Sequence, residues 1–133
     1  MTDIDILISE VGPRDGLQMA KSIMSTADKK RWITDAHAAG LREIEVCSFV
    51  PPKLVPGMAD ADEITRFSKT LPGLHVAVLA PNYRGAEAAM AAGADKITVP
   101  ISVSAPHNRA NVNKTPEESI VEIARICALR DSL

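Results

Sequence analysis

The stretch EVGPRDGLQ, residues 10–18, sets Arg14 and Asp15 side by side in a turn built on two glycines and a proline. An aspartate oxygen is a hard donor suited to Mg²⁺ or Mn²⁺. A guanidinium carries permanent charge and several donors for a carboxylate or a developing enolate oxygen. Gly12 and Gly16 let the backbone bend sharply enough for both side chains to enter one cavity. A plainer reading has equal standing from residue chemistry alone: Asp-Gly is a favoured turn dipeptide, and an Arg-Asp pair can simply satisfy a tight bend. Thiol and imidazole chemistry has less support. Cys47 and Cys127 lack CxxC spacing and read as buried thiols. His37, His75 and His107 are scattered over a helix, a strand start and a loop, with no spacing that holds one ion.

Placing Arg14 and Asp15 requires a scaffold, and the apolar pattern supplies one. Val, Ile and Leu cluster in four blocks, at residues 4–11, 42–47, 74–79 and 96–100, which read as strands. Between them stand helix signals. Ser25 or Thr26 caps a helix over 27–39 that stops at Gly40; a second runs over 59–71 and ends at Pro72-Gly73. Asn82 caps an alanine-rich third helix that stops at Gly93. Thr115, Pro116, Glu117 and Glu118 form a capping box, after which Ile120, Ile123, Ala124 and Cys127 face one way. The segments AAGLREIEV and AAGADKITV echo one another as helix end, glycine stop and strand.

Four strand-then-helix units demand a parallel sheet, because each helix returns the chain to restart a strand in the same direction. The fold class is α/β. A (β/α)8 barrel takes about 250 residues, so four units correspond to about the first half of one TIM barrel, with residues 1–133 as a single partial-barrel domain. In such a barrel the loops after the strands open on one face, and that face carries Arg14, Asp15 and Gln18, then Ser48 and Phe49, then Asn82. The stretch ISVSAPHNRANVNKT follows the fourth strand and reads as a loop too long and polar to be a simple connector.

The runs EVGPRDGLQ, IEVCSFVPPKLVPGMAD, APNYRGAEAAMAAGADKITV and SVSAPHNRANVNKTPEES, in that order, resemble the N-terminal half of the 3-hydroxy-3-methylglutaryl-CoA lyase family. The first run is shared with a wider group of barrel metallolyases and acyltransferases, and the second narrows the resemblance to the lyase branch. It implies retro-aldol cleavage of an acyl-CoA thioester to acetoacetate and acetyl-CoA with a divalent cation, Mg²⁺ or Mn²⁺. By matching motif, Asp15 would be a metal ligand, and Arg14 would stabilise the enolate oxygen of the departing thioester. Glu10 and Glu45 would orient Arg14 and the metal site, or serve as structural carboxylates paired with an arginine. Gln18 and Ser48 would contact substrate, or simply stabilise their turns. Arg109, Asn111 and Lys114 could meet phosphates or coenzyme A, or stand solvated. The family's His-x-His ligands, its further asparagine ligand and its catalytic cysteine match no position here. The chain is therefore expected to be a truncated, inactive form.

Two other functions fit the same residues: an acyltransferase that joins acetyl-CoA to a 2-oxo acid, and a non-catalytic half barrel that acts by pairing its open sheet edges, including with a second copy. A self-contained doubly wound domain lacks the Gly-rich strand-to-helix fingerprint. Composition narrows the partners. A formal net charge of -2 gives no basis for binding nucleic acid or an anionic membrane surface. No apolar run approaches the roughly 20 residues of a membrane span, and the cytoplasm is the expected location.

Overall fold

The computed structural model describes residues 6–133. Its frame is four parallel strands, β1 (Ser9–Glu10), β2 (Glu43–Ser48), β3 (His75–Leu79) and β4 (Lys96–Thr98), lying side by side in chain order. Between β1 and β2 run a π-helical turn (Gly12–Gly16), the single turn α1 (Leu17–Met19) and α2 (Thr26–Ala38). Helix α3 (Ala61–Ser68) follows β2, α4 (Tyr83–Ala91) follows β3, and α5 (Ala105–Val112) and α6 (Pro116–Asp131) follow β4. Strand order never reverses among the described residues. A doubly wound sheet must reverse at its switch point, so the winding is that of a barrel wall.

The helix boundaries follow from local chemistry. Ser25 Oγ accepts the Asp28 amide, Asn82 Oδ1 accepts that of Gly85, and Thr115 with Glu118 completes a reciprocal capping box. Gly40 and Gly93, at φ +102° and +89°, hold the left-handed stops that end α2 and α4 in the two echoing segments. The core lies between the sheet and helices α2 to α4, where Ile33, Ile44, Val46, Ile64, Val76 and Val78 are fully or almost fully buried. No helix among the described residues is long and apolar enough to cross a membrane.

Several sequence expectations need correction. The strand expected over 4–11 shrinks to Ser9–Glu10, because β2 offers it pairing only at Glu43 and Ile44; Ile6, Leu7 and Ile8 are exposed, and residues 4 and 5 lie outside the described residues. The second helix is shorter than 59–71, since a 3-10 turn (Pro56–Met58) precedes it and the chain leaves it after Ser68. The expected long loop after β4 contains α5, which Ser104 caps and Asn113 ends in the left-handed conformation. Helix α6 is rotated from its expected face. Ile120 is 60% exposed, whereas Ser119 and Ile126 are buried. Polar anchors set that rotation: Asn108 donates to Ser119 Oγ at 2.8 Å, and Glu122 accepts from Tyr83 N at 3.0 Å. Cys127 is only half-buried, while Cys47 is buried as expected.

Candidate active site

The turn after β1 is organised by its own backbone. Arg14 and Asp15 both donate their amides to Val11 O, at 3.1 and 2.7 Å. Glu10 Oε1 accepts the Gly12 amide at 2.6 Å. Gly12 is required by close approach, for a Cβ there would meet Glu10 Oε1 at 2.8 Å and the Trp32 ring at 2.9 Å. Gly16 has open space around it and an ordinary helical backbone, so the expectation that both glycines enable the bend applies through Gly12 alone.

Arg14 then spans two elements. Its Nε donates to Glu45 Oε1 on β2, and its Nη1 donates to Asp15 Oδ1 at 2.9 Å. Thr98 on β4 donates to the other Glu45 oxygen at 3.1 Å. Glu45 thus links the first turn to the fourth strand, and nearly buried it holds the guanidinium in a fixed plane. Nη2 of Arg14 is left without a protein partner among the described residues. Asp15 itself is 60% exposed at its side chain. One strand turn further along β2, Ser48 Oγ donates to Gln18 Oε1 at 3.1 Å.

Glu45 and Ser48 stand three residues apart, and strict alternation would send them to opposite faces of the sheet. Both nonetheless reach the segment after β1. A register shift between Glu45 and Cys47 against β3 explains this, since one extra residue flips every following side chain. Cys47 consequently turns toward α3, where its thiol lies 3.3 Å from Thr65 Oγ1. Burial there pushes the thiol pKa up to about 12, outweighing the Thr65 hydrogen bond, so this cysteine is an inert packing group at neutral pH.

The structure therefore brings together Arg14, Asp15 and Glu45 in one cluster and Gln18 with Ser48 in a second. Glu10 stands apart, bonded to the Gly12 amide. Sequence reasoning missed Thr98, and with it Glu43 and Lys96, which pair at 2.9 Å on the sheet. Their signal was available: Glu43 and Glu45 recur at the period of two that puts them on one side, as do Lys96 and Thr98. Burial pushes the Glu43 carboxyl up, but hydrogen bonds from Lys96 and Ser9 and the charges of Lys96 and His75 outweigh it and hold the group below its ordinary value. Lys114 is engaged by Glu122, and Arg109 donates to Asn113 O at 2.8 Å and lies 3.6 Å from Glu118, so neither base stands solvated and unpaired. His107, expected in a loop, lies in the first turn of α5 and contacts Ser102 Oγ at 2.7 Å.

A divalent cation finds a partial donor set. Among the described residues no three His, Cys, Asp or Glu groups converge on one point. Asp15 is the exposed carboxylate at the Arg14 cluster, and a lone carboxylate does not make a Mg²⁺ or Mn²⁺ site.

Residues 5–132 match the HMGL-like family over nearly the whole chain. The chain belongs to that family. Hydroxymethylglutaryl-CoA lyase YngG of Bacillus subtilis is 42% identical over 115 residues, which are 86% of this chain and 38% of that protein. The mitochondrial hydroxymethylglutaryl-CoA lyase of Mus musculus is 46% identical over 121 residues, 91% of this chain and 37% of that one. A solved HMG-CoA lyase from Acenitobacter baumannii, in complex with coenzyme A and 3-methylmalate, superimposes with a TM-score of 0.85 at 32% identity, covering 90% of this chain and 39% of that one. This HMGL-like chain spans well under half the length of the relatives it matches, and its four parallel units match part of their TIM barrel.

Proposed function

We propose that this chain supplies the Arg14 wall of a carbon–carbon lyase site of the hydroxymethylglutaryl-CoA lyase type, acting on a 3-hydroxy acyl-CoA thioester. The carrying observation is the guanidinium geometry: two of its three nitrogens are clamped by Glu45 and Asp15, and Nη2 is left to meet a substrate oxygen. Retro-aldol cleavage leaves the departing acetyl thioester as an enolate. A positive group fixed where that charge develops stabilises the transition state more than the ground state and needs no reorganisation at the moment of reaction. Glu45 is the positioning residue, since it sets the guanidinium plane and is itself held by Thr98. Ser48 and Gln18, already bonded to each other, present further polar atoms to the substrate on the same rim, and Glu10 holds the turn through the Gly12 amide.

Asp15 is the residue that would contribute to a Mg²⁺ or Mn²⁺ site. A bound cation supplies Lewis acidity toward the substrate's oxygens. Among the described residues no further carboxylate, imidazole or thiolate joins Asp15 to complete such a site. The open edges at β1 and β4 are where four further (β/α) units, or a second copy, would close the barrel.

The test is a chimera in which these 133 residues replace the matching segment of the Bacillus subtilis lyase. It is expected to release acetoacetate from 3-hydroxy-3-methylglutaryl-CoA, and Arg14→Gln is expected to lower kcat by about a hundredfold or more. The 133-residue chain by itself is expected to be silent. Full activity in the Arg14→Gln chimera would overturn the assignment.

A further inference from the structure

The two halves of the sheet are one unit repeated. The echo between AAGLREIEV and AAGADKITV sets Glu43 against Lys96 and Ile44 against Ile97. Strand register obeys it: β1 meets β2 as Ser9↔Glu43 and Glu10↔Ile44, and β3 meets β4 as Ala77↔Lys96 and Val78↔Ile97. Ser9 therefore corresponds to Ala77, and Ile8 to Val76. Apolar positions agree as well, since Ile6, Ile8 and Val11 fall on Leu74, Val76 and Leu79, and Pro13 falls on Pro81. The halves are joined where β2 meets β3, which places Ile44 beside Val76. Under the repeat, the open edge of β4 corresponds to the edge of β2 that takes β3, and the open edge of β1 to the edge of β3 that meets β2.

Burial separates the filled junction from the open edges. Ile44 and Val76 are fully buried and share one cluster with Ile64 of α3. At the open edges Ile97 is half-buried, and Ile6 and Ile8 are exposed, Ile8 at 69%. Beside β4 lies a cavity of about 480 Å³ walled by Met90, Ile97, Val99, Ile123, Ile126 and Cys127. The charged groups on its border are engaged: Asp95 with Lys69, Lys96 with Glu43 and Arg130 with Asp131. Such a groove fits an apolar strand, and this chain carries one at its other edge.

We propose that a second copy of this chain closes the sheet, β4 of each copy pairing in parallel with β1 of the other. Two four-stranded walls give the eight strands at which a barrel interior is just filled by side chains. A twofold axis makes the two new junctions identical and leaves no strand edge open. The repeat also fixes the register. Ile97 lies beside Ile8 of the second copy as Ile44 lies beside Val76, and Thr98 beside its Ser9 as Glu45 lies beside Ala77. In that register Ile6 and Ile8 of the second copy enter the groove walled by α6. A slip of one residue would turn them to the opposite face and leave the groove unfilled. This closure is a property of the sheet and does not depend on the lyase reading.

Sedimentation velocity of the 133-residue chain at micromolar concentration tests it. A single species of twice the chain mass is expected. Ile8→Lys puts a charge where the groove is apolar and should weaken the dimer by about tenfold or more. Ile8 is exposed in the single copy, so the fold of that variant, followed by circular dichroism, should be kept. Val121→Lys, at an exposed position of α6 that does not line the groove, should leave the dimer unchanged. In a dimer mixed from labelled and unlabelled copies, isotope-filtered spectra should show contacts between the Ile8 and Ile97 methyl groups of different copies. A monomer, open-ended higher oligomers, a dimer indifferent to Ile8→Lys or equally weakened by Val121→Lys, or methyl contacts in another register would each overturn the assignment. Dimerisation is expected to survive Arg14→Gln, which in the chimera lowers acetoacetate release, so the two readings fail separately.

Discussion

The two faces of β2 are both buried, yet they carry opposite chemistry. Toward the helices, Ile44 and Cys47 meet an apolar layer completed by Ile33, Ile64, Val76 and Val78. On the other side, Glu43, Glu45 and Ser48 are equally enclosed, and each is bonded: Glu43 to Lys96, Glu45 to Arg14 and Thr98, Ser48 to Gln18. Strands of parallel sheets usually read as continuous apolar runs, because both faces are covered. Here one face holds the fold together and the other is reserved for charge, tolerable in a buried position because each carboxylate is paired. The difference teaches that burial by itself does not separate core from site. The identity of the partner does.

The sharpest way to break that contrast is on the apolar side. Ile64 is fully buried between α3 and the sheet. Ile64→Ala is expected to cost about 2–5 kcal/mol in urea unfolding, enough to consume much of the stability of so small a domain. Glu45→Gln comes next. It keeps the shape but leaves Arg14 without its buried carboxylate, for an expected loss of about 1–3 kcal/mol, and in the chimera it should lower kcat through the loosened guanidinium. A loss as large as that of Ile64→Ala would mean that the polar face carries the fold as well.

The smallest effect is one of pH. The folded Glu43 carboxyl sits below its ordinary value of 4.5, so its contribution to stability is complete above that value and is lost as pH falls through the folded pKa. Urea midpoints measured from about pH 6 down to pH 3 should decline on the acid side, and Glu43→Gln should flatten part of that decline. An unchanged profile in the variant would show that the Lys96 pair stabilises nothing.

Much of the frame was legible in the sequence because local rules govern it. Ser25, Asn82 and Thr115 cap helices whatever surrounds them, and Gly40 and Gly93 end helices because only glycine enters the left-handed region without cost. The apolar run at residues 4–11 reads as a strand over its whole length, but apolar residues alone do not make one. Pairing does, and β2 reaches only two residues of β1. The buried face of α6 departs from its apolar spacing because Asn108 and Glu122, polar groups contributed by or bonded to other elements, set the rotation. Helix α5 is hard to read from sequence because its interior has no apolar stripe, although Ser104, Pro106 and Asn113 mark its two ends.

The order of strands and helices, the caps and stops that bound them, and the presence of Arg14 beside Asp15 were all determined by the sequence read locally, for each depends on residues within one turn of chain. Which groups meet was decided by the tertiary structure alone. A single register shift in β2 turns Glu45 and Ser48 to the same side, and the closure of β4 on β3 brings Thr98 to Glu45 across 53 residues. Those juxtapositions depend on how strands align with one another, and strand alignment is a property of pairs that no single stretch of sequence contains.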